Sequence, residues 1–128
     1  MGGRIRSVTS ARPREAEVVS RALLRAAARL GVTNRVLAGV MGLSEATLSR
    51  LGAGTYHMEP GQKAFELAVL FIRLYRSLDA IVGGDEDSAR AWLHARNDAF
   101  GAAPVTLIQS VTGLVNVVGY LDARRALA

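Results

Sequence analysis

Apolar side chains recur at three- and four-residue spacing along most of this chain, and glycine or proline interrupts the pattern at Gly31, Gly42, Gly52, Gly54, Gly83-Gly84 and Pro104. That period lays one apolar stripe along a helix and is incompatible with the two-residue alternation of a half-buried strand. Valine and leucine between residues 105 and 121 invite a β reading, but Pro104, Asn116 and Gly119 break it. The predicted fold class is all-α. With 128 residues, half of them hydrophobic and 21% charged, the chain can bury a core of its own.

The first predicted helix starts at Pro13 and buries Ala16, Val19, Leu23, Ala26 and Leu30, with Gly31 just past its end. Arg14, Arg21, Arg25 and Arg29 form its solvated face, and residues 1–12, with Arg4, Arg6 and Arg12 and no periodicity, read as a mobile basic arm. A second helix, capped by Thr33 or Asn34, reaches Met41. Ser44 caps a third over Glu45–Leu51, which Gly52-Ala53-Gly54 stops.

A long helix over about residues 61–82 follows a loop holding Tyr56, His57 and Pro60. Its apolar positions (Ala64, Leu67, Ala68, Phe71, Leu74, Tyr75, Leu78) are joined by Phe65, Val69 and Ile72 on a second flank. A stripe that wide predicts a helix bridging two parts of the chain or entering a dimer interface. The acidic run Asp85-Glu86-Asp87 beside Gly83-Gly84 marks the seam between modules 13–83 and 84–128. Helices are then expected over residues 88–94, 104–110 and 113–126, with a turn over 97–101.

Several function classes drop out. No cysteine means no disulfide, thiolate metal site or cysteine nucleophile, which fits a cytoplasmic protein. His57 and His94 are the only histidines; His94 lies four residues before Asp98, but the helix is expected to end between them and a metal site would need further ligands, while the acidic run lacks the alternating oxygen ligands of a calcium loop. Gly42-Leu43-Ser44-Glu45-Ala46 fails the nucleophile-elbow pattern and Gly52-Ala53-Gly54 lacks a phosphate-loop lysine. An enzyme and a cofactor are therefore not expected. The uncharged stretch Ala99–Leu121 is long enough to span a bilayer, but its polar residues, glycines and Pro104 suit two short helices instead. The N-terminus has early positive charge without an apolar region behind it, unlike a secretory signal.

Charge is unevenly placed. Residues 1–83 hold 12 basic and 6 acidic side chains, net +6, and residues 84–128 hold 4 and 5, net −1, giving the chain's +5. A basic first part fits a polyanionic partner, although 15 of the 16 cations are arginine, as codon bias alone can produce.

Residues 37–51 have the spacing of a helix-turn-helix. Ala38 is the small residue needed at the helix crossing, Gly42 can take positive φ in the turn, and Leu43, Leu48 and Leu51 face inward. In such a unit the second helix enters the major groove, which makes Ser44, Glu45, Thr47, Ser49 and Arg50 candidate DNA contacts, with Arg35 on the backbone. An ordinary helical hairpin shares these features.

The C-terminal string Trp92-Leu93, Asn97, Phe100-Gly101, Pro104, Leu107-Ile108, Gly113, Val117 and Leu121 reads as structural, with Trp92 as the anchor of a small core. Its order resembles the Xre/MbcA/ParS-type antitoxins, whose toxin-binding domain carries W-L, N-x-x-L/F-G-x-x-P-x-x-L-L and then G-x-x-x-V-x-x-x-L. The resemblance covers about residues 18–126. It departs where Arg96 replaces a proline and where the chain ends Asp122-Ala123-Arg124-Arg125-Ala126-Leu127-Ala128.

The resemblance implies an antitoxin that blocks a RES-domain, NAD-consuming toxin and represses its own operon. Its implied partners are that toxin and operator DNA, as a homodimer or toxin-antitoxin hetero-oligomer, with no membrane. Asn97, Leu121, Arg124 and Arg125 are the implied toxin contacts, and Trp92, Phe100, Gly101, Pro104 and Gly113 the structural motif. The competing reading is a plain transcriptional regulator whose C-terminal part only dimerises or senses a ligand. A third is an antitoxin whose helix-turn-helix no longer binds DNA.

Overall fold

A computed structural model describes the backbone of residues 2–127 and the side chains of residues 14–127. Among the described residues there are seven helices and no strand: α1 (Gly2–Arg29), α2 (Asn34–Met41), α3 (Glu45–Ala53), α4 (Lys63–Ile81), α5 (Glu86–His94), α6 (Pro104–Leu107) and α7 (Val111–Leu127). α4 is the axis of the molecule, packed against α7 on one flank and α1 on the other.

The buried positions of α4 are Leu67, Ala68, Phe71, Leu74, Ser77 and Leu78, a single stripe down the helix. Phe71 is fully buried, and truncating such a ring to alanine costs about 3–5 kcal/mol. The wide apolar surface noted in the sequence thus packs on both neighbours, which leaves Val69 45% exposed and Phe65 and Ile72 half-buried. One continuous cluster of buried residues runs from Leu23 on α1 through Leu37, Met41 and Leu48 to Leu114 and Leu121 on α7. The two modules therefore share a core.

One polar contact pins α4 to α7. Ser77, with no solvent exposure, donates its hydroxyl to Asp122 Oδ1 at 2.8 Å, and the other carboxylate oxygen of Asp122 pairs with Arg73. A buried hydroxyl without a partner costs about 1–3 kcal/mol, so Asp122 fixes the register of the two helices by satisfying it.

Several boundaries differ from the sequence reading, including the end of α6, which stops at Leu107 where the sequence predicts a helix over residues 104–110. α1 begins at Gly2, so Pro13 lies within the helix; the expected arm falls where side chains lie outside the described residues. α3 continues to Ala53 because Gly54 alone, at φ +79°, takes the left-handed cap. α5 starts at Glu86 because Asp85 supplies the cap, and α7 starts at Val111, which puts Gly113 in its first turn. No described helix is long and apolar enough to cross a membrane.

Candidate nucleic-acid and partner interfaces

Local chemistry builds the helix-turn-helix. Thr33 Oγ1 accepts from the Val36 N–H at 3.3 Å and Ser44 Oγ from the Thr47 N–H at 3.1 Å, so each helix carries its own N-cap. Gly42 sits at φ +66°, and the Leu43 N–H closes the turn onto the Ala38 carbonyl at 3.0 Å. Ala38, Leu48 and Leu51 are buried and Leu43 is half-buried, as the spacing predicts.

The remaining face of α3 is exposed. Ser44, Glu45, Ser49 and Arg50 are open to solvent and Thr47 is half-buried. Thr47 Oγ1 accepts from Ser44 Oγ at 2.9 Å and from Arg50 Nη2 at 3.1 Å. These bonds turn the guanidinium back toward the N-terminal end of α3, where a recognition helix meets base edges. Glu45 occupies the first turn of α3, favourable for the helix dipole and unfavourable for a phosphate. Arg35 is exposed in the first turn of α2.

In the C-terminal module Asp85 Oδ1 accepts from the N–H groups of Asp87 and Ser88, and Asp85 Oδ2 from the Ser88 hydroxyl at 2.9 Å. The Ser88 hydroxyl, then the Ser88 and Asp87 N–H groups, hold the carboxyl below its usual range. The acidic run is therefore a helix cap, and no group of three or more potential metal ligands occurs among the described residues.

Trp92 is not the core anchor that the sequence implied. It is half-buried and stacks on Tyr120 at a centroid distance of 6.2 Å, with Phe100 edge-on to both rings, 5.0 Å from Tyr120. The fully buried large residues are elsewhere, Phe71, Leu93, Ile108 and Leu114 among them. The aromatic trio instead forms the partly exposed seam between α5, the 97–103 turn and α7.

Asn97 organises that turn. Its side-chain oxygen accepts from the Ala99 N–H at 2.9 Å, its own N–H bonds the Ala102 carbonyl, and its carbonyl accepts from Gly101, which lies at φ +72°. Pro104 is buried at the first position of α6. Gly113 has no alternative: a Cβ there would collide with the Leu107 carbonyl. Leu121 is 1% exposed, so as a toxin contact it is corrected to a core residue; its position on the inner face of α7 hides it from any partner docked on this surface. The two arginines diverge: Arg124 bonds the Tyr120 hydroxyl at 2.9 Å and lies over its ring, whereas Arg125 faces a groove between α1 and α4.

Arg90 and His94 carry contacts the sequence did not announce. Arg90 reaches the carbonyls of Arg29 and Ala28, and His94 Nε2 lies 2.9 Å from the Leu30 carbonyl. The partners are more than sixty positions apart, so no local pattern signals them.

Residues 10–73 match the antitoxin Xre-like helix-turn-helix domain, and residues 77–126 match the antitoxin Xre/MbcA/ParS C-terminal toxin-binding domain. The chain belongs to the Xre-type antitoxins. No curated protein matches it. In this antitoxin the two matched segments meet inside α4, so the junction between the helix-turn-helix and the toxin-binding domain is a continuous helix with one buried face.

Proposed function

We propose that this antitoxin binds a cognate RES-domain toxin through its C-terminal module, occludes the entrance for the NAD substrate, and represses its own operon through α3. It acts by binding and performs no chemistry itself. The observation that carries the reading is the pairing of the two matched domains on one shared core, with an exposed polar face on α3 and a partly exposed aromatic seam on the other module. Apolar groups around that seam supply affinity, and Arg124, held on Tyr120, supplies orientation. The protein is proposed to work in the cytoplasm, as a dimer on two DNA half-sites about 34 Å or a multiple apart.

The test is co-purification of the tagged full-length protein with the product of the neighbouring gene, followed by an NAD-consumption assay. NAD loss by the partner alone and its suppression in the complex support the reading. A partner that leaves NAD intact removes the RES assignment, and DNA binding without any retained partner favours a plain regulator.

A further inference from the structure

Between α1 and α4 runs an open groove of about 430 Å³ that no part of the described chain fills. Its floor is apolar, with Val18 (60% exposed), Val69 (45%) and half-buried Ile72. Its rim is cationic: Arg73, Arg76 and Arg125 converge on it from α4 and α7. Arg73 is spoken for by Asp122, but Arg76 and Arg125 have no carboxylate in ion-pair reach among the described residues.

We propose that this groove is a docking site for an acidic amphipathic helix of a partner protein. Apolar residues of such a helix at three- and four-residue spacing cover Val18 and Val69, and its flanking aspartates or glutamates meet Arg76 and Arg125. A second copy of this chain fits less well. Placed across a two-fold axis it sets the same arginine rim against itself, and the chain's own acidic run, Asp85-Glu86-Asp87, has no apolar residue within it. Nucleic acid would use the arginines but leave the valines in water. The site lies apart from the α3 face and does not depend on the identity of the toxin.

The probe is a fluorescent helical peptide with leucine on one face and glutamate on the other, titrated into the full-length protein by anisotropy. A scrambled peptide of the same composition and a lysine-for-glutamate version serve as comparisons. The parent protein is expected to prefer the patterned acidic peptide over both. Arg76→Glu with Arg125→Glu weakens it about tenfold or more and improves binding of the lysine peptide, a reversal that unfolding cannot produce. Val18→Ser with Val69→Ser weakens both patterned peptides. Equal binding of patterned and scrambled peptides by the parent overturns the proposal without any variant. So does a dimer, seen by sedimentation, that excludes the peptide and that the serine variants dissociate.

Discussion

Arg90 Nε donates to the carbonyl of Arg29 at 2.7 Å, so a side chain of the toxin-binding domain caps the last turn of the first helix of the helix-turn-helix domain. Its Nη2 also reaches the Ala28 carbonyl and Glu86, both at 3.1 Å. The last carbonyls of a helix have no intrahelical partner, and a guanidinium both bonds them and complements the negative end of the dipole. Arg90→Ala is expected to lower the unfolding free energy by about 1–2 kcal/mol, at the modest end for charged hydrogen bonds because the site is half-open to water. Arg90→Lys restores little, since one ammonium cannot span the same fork. Urea unfolding checks this: the midpoint falls while the slope stays constant.

The two glycines of α7 make opposite predictions. A Cβ at Gly113 meets the Leu107 backbone, which cannot move without unmaking the α6–α7 turn, so Gly113→Ala is expected to destabilise by about 1–3 kcal/mol. A Cβ at Gly119 meets nothing within 4 Å, and the residue is exposed in mid-helix. Gly119→Ala is therefore expected to stabilise the protein by up to about 1 kcal/mol. Thermal melts of the two variants should move in opposite directions from the parent.

What the sequence disclosed, and what it hid, follows from distance along the chain. Thr33, Ala38, Gly42, Ser44 and Leu48 act on neighbours a turn away, so the helix-turn-helix could be read from spacing alone. Pro104 and the Asn97–Gly101 turn were legible for the same reason. The half-buried setting of Trp92 is not legible locally because Tyr120, 28 residues on, creates it, and the burial of Leu121 is not legible from family position, which says nothing of which way a side chain points. Gly113 stands out in the sequence pattern, but the physical reason for a glycine there, the close approach of Leu107, depends on where α7 begins. The Arg90–Arg29 and Ser77–Asp122 contacts join residues 61 and 45 positions apart, and nothing local marks them.

Acid should expose the Asp85 cap. Its carboxyl is held below the usual range by the Ser88 hydroxyl and by N–H groups of Ser88 and Asp87. A depressed carboxyl stabilises the fold fully above the unfolded carboxylate range and loses that contribution as pH falls through the folded value. Asp85→Ala is expected to lower the melting temperature at neutral pH, with the gap to the parent closing in acid. Asp85→Asn keeps an acceptor for the helix N–H groups and should fall between them at neutral pH. A gap that stays constant from neutral pH into strong acid would show that the ionised cap does not matter.

The DNA reading turns on Arg50 and Ser49. Both are exposed on α3, and Thr47 holds the guanidinium toward the N-terminal end of α3, the end that a recognition helix sets against base edges. Arg50→Ala with Ser49→Ala is expected to weaken binding to the DNA upstream of the gene by about 1–3 kcal/mol for a lost guanine contact. If Arg50 instead meets a phosphate, the salt dependence of binding becomes shallower by about one counterion. Neither side chain is buried, so the thermal melt should not move and inhibition of the partner toxin should persist. Binding that matches the parent at every salt concentration would remove α3 as the DNA-reading element. Loss of DNA binding with toxin inhibition intact would separate the two functions on the two sides of the shared core.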